Sequence, residues 1–271
     1  MVRETLFSQM LDLKRSLVDR CSVCNGTGIV DDRECDCRII QRYLNHLIEV
    51  KIPSEYWELS FSDLTDVKPQ KLVDLCITYS KHLAVACQKS MGLLLSGPNG
   101  RGKTSLQCAV GKVGVVQGFS VQYFTAQQYI EAVKAKNVEL LSEYESGSIV
   151  LLDELDKVYI AQGSNFVGKT LEEFIRRMFS RGTAFIICTN LLESDLERTF
   201  GQSTMSILRG HLNFLLLEGD DYRNTQMNGW LSRLQKDMDY RNPHILKYAR
   251  QLFEREQRED SIGWFDEEEK H

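Results

Sequence analysis

The chain has 271 residues, of which 42% are hydrophobic and 26% are charged, and its formal net charge is −5. This size and composition predict a globular protein with one sizeable core and a small additional module. The negative charge argues against a protein that coats duplex DNA through electrostatics alone. The sequence has no apolar run long enough to cross a bilayer and no secretory signal at its start, so we expect a cytoplasmic protein without membrane association.

Two helices are predicted in the first part of the chain, where apolar side chains recur at spacings of three and four over residues 4–19 and 38–51. The second helix should end before Pro53. Residues 52–68 fit neither a helix nor a strand, and we expect a linker that packs aromatic side chains on the following domain. A domain boundary is therefore predicted here, with residues 1–51 as a separate N-terminal domain.

Four cysteines cluster in this N-terminal domain. Cys21 and Cys24 have two residues between them, whereas Cys35 and Cys37 have one. Two such pairs brought together supply four sulfur ligands, which suits tetrahedral Zn²⁺. Because the second spacing is the less common one, His46 is an alternative fourth ligand, and a redox-active or unligated thiol cluster is the alternative to a metal site. The other four cysteines lie among apolar residues and are predicted to be core residues: Cys76, Cys87, Cys108 and Cys188.

Strands and helices alternate after the linker. One long helix is expected after Pro69, with its inner face formed by Leu72, Leu75, Cys76, Tyr79, Leu83 and Ala86. The predicted strands span residues 93–95, 119–124, 149–152, 184–188 and 212–217, and the predicted helices lie at 103–117, within 126–145, at 169–181 and in two short segments before the last strand. This alternation predicts an α/β fold with a five-stranded parallel P-loop sheet flanked by helices, over residues 69–223. Residues 224–271 are predicted to be a helical C-terminal extension with an acidic tail.

A glycine-rich loop follows the first of these strands. It matches the pattern of Gly, four residues, and Gly-Lys-Ser/Thr between a strand and a helix. The predicted nucleotide-binding residues are Gly97, Pro98, Asn99, Gly100, Arg101, Gly102, Lys103, Thr104 and Ser105. Backbone N–H groups of such a loop point at phosphate oxygens, the lysine reaches the β- and γ-phosphates, and the threonine hydroxyl holds Mg²⁺. The alternative, a glycine-rich turn before an ordinary helix, is disfavoured by this strand-loop-helix context.

Polar residues at the ends of two further strands complete a predicted ATPase site. Asp153 and Glu154 follow a buried strand, so the first is predicted to position Mg²⁺ and the second to polarise an attacking water. Asn190 follows the next strand, and its amide can contact both the γ-phosphate and that water. An arginine from a neighbouring subunit would stabilise the charge that develops during transfer. Arg209 is our first candidate and Arg223 our second, although either could be a surface cation.

The phosphate loop, the Asp153-Glu154 pair, Asn190 and the segment 206–223 resemble the DnaC/DnaI/IstB group of AAA+ ATPases, and the similarity covers residues 52–223. The resemblance implies a replicative helicase loader or, in the IstB branch, a helper of a transposase. It further implies that the N-terminal domain grips a hexameric helicase, that the subunits self-associate through their ATP sites, and that the ATPase domain contacts single-stranded DNA.

Two departures from the family pattern bear on these expectations. Residues 206–208 read Ser-Ile-Leu where the family has Ser-Arg-Leu/Met. Arg209 can therefore take the role in trans only if the arginine is shifted along the sequence relative to the family pattern. The family's DNA-contacting helices correspond to residues 126–144, where Lys134 and Lys136 lie among several glutamates. We therefore expect a weak, local contact with single-stranded DNA.

The leading functional prediction is an ATP-dependent helicase loader that uses ATP, Mg²⁺ and Zn²⁺. An IstB-like transposition ATPase is the alternative within the same family. A non-hydrolysing ATP-binding adaptor is an alternative of another class, and Glu154 argues against it because a protein that only binds ATP needs no water-activating carboxylate. A sequence-specific replication initiator is disfavoured because residues 224–271 show no helix-turn-helix pattern.

Overall fold

The computed structural model describes residues 21–158, 166–219, 221 and 243–263. They form two compact units, one within residues 1–49 and 233–271 and the other within residues 50–232. The helix predicted at 4–19, Arg223 and the acidic tail lie outside the described residues. Among the helices that are described, none combines the length and the apolar character needed to cross a membrane.

The described elements alternate along most of the chain. In chain order they are β1 (Ile29–Val30), β2 (Arg33–Glu34), α1 (Asp36–Glu49), α2 (Gln70–Lys81), α3 (Leu83–Gln88), β3 (Gly92–Ser96), α4 (Lys103–Val116), β4 (Val121–Thr125), α5 (Ala126–Lys134), α6 (Val138–Tyr144), β5 (Ile149–Asp153), α7 (Phe166–Phe179), β6 (Ala184–Thr189), α8 (Glu193–His211), β7 (Leu212–Leu216) and α9 (Pro243–Gly263). Short 3-10 turns lie at Ser54–Tyr56, Phe61–Asp63 and Leu155–Lys157.

The larger unit is built on a five-stranded parallel sheet with the strand order β4-β5-β6-β3-β7. Every residue of β3, β5 and β6 is buried, which explains why these strands read as continuous apolar runs. The predicted fold class is confirmed. Because β3 lies between β6 and β7, the loop that follows it opens at the carboxyl edge of the sheet, beside the residues that follow β5 and β6.

Some helical predictions require correction. The single helix expected after Pro69 is two helices, because His82 has non-helical dihedral angles (φ −121°, ψ 27°) that end α2. Leu75, expected on the inner face, is 38% exposed. The two short helical segments expected before the last strand form α8, which kinks at Gly201 (φ 83°). Of the four cysteines predicted in the core, Cys76, Cys108 and Cys188 are buried, and Cys87 is half-buried.

The smaller unit joins the two ends of the described chain, since α9 packs on α1. The Tyr43 and Tyr248 rings stack with centroids 6.0 Å apart. Apolar side chains of both helices are buried, among them Ile40, Leu44, Leu47, Ile245, Ala249 and Leu252. Arg250 pairs with Asp36 at 2.8 Å on the rim of this contact. The sequence indicated that the C-terminal helix packs on something, and the structure identifies α1 as its partner.

Candidate functional site

Three glycines give the phosphate loop its shape. Gly97, Gly100 and Gly102 have φ values of 137°, 76° and 83°, which residues with a side chain rarely adopt. A Cβ atom would lie 2.3 Å from the Leu217 carbonyl oxygen at Gly97, and 2.0 Å from Asp221 Oδ1 at Gly100. The loop therefore needs glycine for its backbone conformation and, at Gly97, also for space beside the Leu217 backbone, and this requirement explains the pattern recognised in the sequence.

Lys103 is the first residue of α4 and is only 8% exposed. Its ammonium donates hydrogen bonds to the carbonyl oxygens of Gly97 and Pro98, both at 2.7 Å, and to Asn190 Oδ1 at 2.9 Å. The structure thus brings together two predicted site residues that are 87 positions apart. These three oxygen atoms satisfy the hydrogen-bonding capacity of the buried ammonium. The ammonium lies where a phosphate would bind.

Asp153 ends β5 and is 5% exposed. Its Oδ2 atom accepts hydrogen bonds from the Thr104 hydroxyl at 3.1 Å and the Tyr123 hydroxyl at 2.9 Å, and its Oδ1 atom accepts from the backbone N–H of Glu154 at 2.8 Å. The two predicted magnesium ligands, Thr104 and Asp153, are therefore adjacent. Tyr123 was missed, and burial raises the pKa of its phenol, so it stays a hydrogen-bond donor.

A third carboxylate near the end of β5, that of Asp156, was also missed by the sequence reasoning. Asp156 accepts hydrogen bonds from the backbone N–H and from Nδ2 of Asn190, both at 2.8 Å, and from the Thr189 hydroxyl at 3.2 Å. The available signal was its position two residues after Glu154. Without the strand order, nothing in the sequence indicates that it faces the end of β6.

A cleft of about 120 Å³ lies at this edge of the sheet. Its walls include residues 99–105, the carboxylates that follow β5, residues 188–190 and Tyr56 from the linker. Nε and Nη1 of Arg101 are buried there without a hydrogen-bond partner among the described residues. Guanidinium nitrogens that are buried without a partner are unfavourable unless an anion joins them, so the cleft fits a ligand that carries phosphate.

Other predicted residues do not line this cleft. Arg209 Nε pairs with Glu193 at 2.8 Å and Arg209 Nη2 pairs with Glu197 at 2.9 Å, with the arginine side chain 47% exposed. Hydrogen bonds to these carboxylates raise the pKa of Arg209. Lys134 and Lys136 are exposed at and just after the end of α5. Arg223 lies outside the described residues.

The four clustered cysteines form a second candidate site, in the smaller unit. Their sulfur atoms all lie within 4.8 Å of one another, and all four residues are buried. Cys21 Sγ and Cys35 Sγ are 3.8 Å apart, and Cys24 Sγ and Cys37 Sγ are 3.6 Å apart. Two sulfurs at tetrahedral positions, each about 2.3 Å from a zinc ion, would be about 3.8 Å apart, so the donor set fits Zn²⁺.

The turn after the first cysteine pair and the hairpin of β1 and β2 bring the second pair back to the first. The N–H of Gly28 donates to Cys24 Sγ at 3.2 Å, which orients that sulfur. His46, the alternative ligand, does not belong to the cluster, because its ring contacts Glu49 at 3.6 Å and Glu256 at 3.3 Å. The short spacing between Cys35 and Cys37 therefore does not prevent a four-cysteine set.

Comparison with known proteins agrees with this geometry. The family described as IstB-like ATP binding protein matches residues 27–227. The DnaC helicase loader superposes with a TM-score of 0.54 at 17% identity, covering 61% of this chain and 100% of that one. The replication initiator DnaA, bound to AMPPCP and single-stranded DNA, superposes with a TM-score of 0.53 at 16% identity, covering 72% of this chain and 60% of that one. At these identities the structural matches show a shared fold.

A curated relative matches a shorter region at higher identity. The ATP-dependent zinc metalloprotease FtsH 1 of Rhodopirellula baltica is 33% identical over 124 residues, which are 42% of this chain. The match spans 18% of the length of that longer protein.

Proposed function

Because the chain belongs to the IstB-like ATP binding proteins and is a P-loop ATPase of the AAA+ type, we propose that it loads a hexameric replicative helicase onto single-stranded DNA. The observation that supports this proposal is that one unit carries the nucleotide cleft and the other carries the four-cysteine cluster. The proposal also uses the fold shared with the DnaC helicase loader.

ATP binding would use groups that already converge on the cleft. Lys103 would exchange loop carbonyl oxygens for phosphate oxygens, and Arg101 would gain an anionic partner for its buried nitrogens. Thr104 and Asp153 would hold Mg²⁺, which supplies charge neutralisation at the phosphates. Tyr123 keeps the Asp153 carboxylate oriented through its hydroxyl.

Hydrolysis would depend on Glu154 and Asn190. Glu154 is exposed on the cleft wall in a left-handed conformation (φ 53°), which turns the chain sharply where β5 ends. We assign its carboxylate the task of orienting and deprotonating the attacking water. Asn190, which directly follows β6, would contact the γ-phosphate. Because ADP lacks this phosphate, the contact would distinguish ATP from the product.

We further propose that Arg209 acts in the site of a neighbouring subunit. Its exposure and its distance in sequence from the loop suit such a role, although it must exchange Glu193 and Glu197 for phosphate. Mixing R209A protein with E154Q protein tests this. Each variant alone should lack turnover, and the mixture should recover part of it, because some interfaces then combine an intact Glu154 with an intact Arg209. If the mixture stays inactive while both variants assemble, the role in trans is wrong.

Partner binding is assigned to the smaller unit. The four cysteines would hold Zn²⁺, which crosslinks the two ends of the cysteine hairpin. The resulting module, supported by α1 and α9, would grip the helicase, and Lys134 and Lys136 would make a weak contact with single-stranded DNA. This assignment follows from the need for a partner-holding element apart from the ATPase core.

Capture of a purified replicative helicase hexamer by the full-length protein tests the loader function. Binding should occur with ATP, and Cys21→Ser should abolish it without loss of ATP binding. Cys87→Ser is the matched control, because Cys87 is half-buried and lies outside the cluster. Helicase binding by the C21S variant at the wild-type level, after verified metal loss, would remove the cysteine unit from the proposed interface.

The IstB-like alternative is favoured by the family description that matches the chain. It predicts capture of a transposase in place of the helicase under the same conditions. Measuring capture of the helicase and of the transposase by the same immobilised protein decides between the two functions.

A further inference from the structure

We propose that Asp156 is a positioning residue that sets the orientation of the Asn190 side chain, whose amide oxygen accepts a hydrogen bond from the Lys103 ammonium. The inference deepens the proposed ATPase mechanism and rests on it. Asp156 lies in the 3-10 turn that follows β5, and Asn190 directly follows β6. Because these two strands are parallel neighbours, their carboxyl ends bring the two residues side by side.

The contact between these residues has two points, which makes it directional. Asp156 Oδ1 accepts from the backbone N–H of Asn190, and Oδ2 accepts from its side-chain Nδ2, both at 2.8 Å. The Thr189 hydroxyl adds a third donor to Oδ1 at 3.2 Å. One carboxylate therefore holds both the backbone and the amide of Asn190.

The negative charge of Asp156 determines the orientation of the Asn190 side-chain amide. With Nδ2 bound to Asp156, the amide oxygen faces Lys103 Nζ at 2.9 Å. Turning the amide by half a turn would place its oxygen against a carboxylate and its NH₂ group against an ammonium, and both contacts would be repulsive. Asp156 and Lys103 thus act together on Asn190, and one N–H of the amide remains as a donor for a phosphate oxygen.

This arrangement makes Asp156 a link between the ends of β5 and β6 and the phosphate loop. Its carboxylate does not need to touch the nucleotide to matter, because it acts through Asn190. Loss of the negative charge should leave the loop and its contacts with the diphosphate in place. It should impair the step that depends on an oriented amide at the γ-phosphate.

The substitution Asp156→Asn tests the idea with a nearly isosteric change. Its amide oxygen can accept from the Asn190 backbone, but its NH₂ group then faces the NH₂ group of Asn190. We expect kcat for ATP to fall on the order of 10- to 100-fold, while the affinity for ADP changes less than about twofold. Asp66→Asn, at an exposed carboxylate outside the cleft lining, is the matched control, and thermal unfolding of each variant verifies the fold.

A double-mutant cycle separates positioning from a structural role. If Asp156 acts through Asn190, D156N should cause little further loss of kcat in an N190A background. Equal losses from D156N in the presence and absence of Asn190 would overturn the inference, as would a wild-type kcat in D156N alone.

A binding measurement keeps the inference testable if the wild-type protein shows no turnover, a result that would count against the proposed hydrolytic roles of Glu154 and Asn190. The ratio of affinities for a non-hydrolysable ATP analogue and for ADP should then fall in D156N. An unchanged ratio would contradict the positioning role.

Discussion

The nucleotide cleft and the cysteine cluster are both sets of ligating side chains, but different forces hold them in place. The cleft lies at the edge of a buried sheet, and Lys103, Asp153 and Asp156 are fixed by hydrogen bonds with protein groups. In the cysteine cluster, by contrast, Val30 is the one apolar side chain packed against the sulfurs among the described residues. The cleft should therefore keep its shape without a ligand, whereas the cysteine hairpin should need its metal.

Metal removal should have the largest effect of the changes considered, and that effect should be confined to the cysteine cluster in the smaller unit. Structural zinc contributes on the order of 10 kcal/mol to small domains, which exceeds what this hairpin can gain from packing. A strong chelator, or Cys21→Ser, should abolish hydrogen-exchange protection over residues 21–37 and leave ATP affinity unchanged. Cys87→Ser should retain both properties. Full protection of the hairpin in verified metal-free protein would show that the two sites do not differ in this way.

Glu154→Gln should separate binding from chemistry within the cleft. The amide keeps the size of the side chain but cannot accept a proton, so turnover should fall about 100-fold or more while ATP still binds. Steady-state hydrolysis and equilibrium ATP binding measure the two effects. Glu139→Gln, at an exposed residue of α6, is the control. Equal turnover in E154Q and wild-type protein would exclude the proposed role of this carboxylate.

Lys112→Ala should test how much the stability of the larger unit depends on one buried ammonium group. Lys112 lies on α4, and its ammonium donates hydrogen bonds to the carbonyl oxygens of Tyr56, Trp57 and Leu59 in the linker. Burial lowers the pKa of Lys112 to about 8, so the group is still protonated at pH 7. Its removal leaves these carbonyl oxygens without that donor.

We expect K112A to lower the free energy of unfolding of the larger unit by about 2–4 kcal/mol, measured by urea denaturation. Lys71→Ala, at an exposed lysine of α2, should change it by less than about 0.5 kcal/mol. If the two substitutions have equal effects, the linker is not held through Lys112.

The smallest expected effect concerns DNA. Replacing Lys134 and Lys136 together by alanine should weaken binding of single-stranded DNA only a few-fold, because exposed lysines contribute screened, local charge. Fluorescence anisotropy at several salt concentrations measures the loss, and ATP turnover without DNA should not change. Lys71→Ala again serves as the control. An unchanged affinity would place the DNA contact elsewhere on the molecule.

Much of the fold was predictable because its signals are local. The strands β3, β5 and β6 are buried on both faces, so each is visible as an apolar run. The helices were harder to delimit, and the break at His82 escaped prediction because apolar spacing continues through it. The roles of Glu154, Arg209 and the zinc cluster remain predictions that the experiments above address.

The sequence by itself determined the phosphate loop, because the positive φ values at Gly97, Gly100 and Gly102 favour glycine. It also indicated a cluster of sulfur ligands, but it left His46 open as the fourth ligand until the structure brought the four cysteines together. Only the tertiary structure decided which distant groups meet. The contacts of Asp156 with Asn190 and of Tyr123 with Asp153 span 34 and 30 positions, and those of α1 with α9 span more than 200. Such pairings depend on strand order and helix packing, which result from burying the whole apolar surface at once, and no local pattern encodes them.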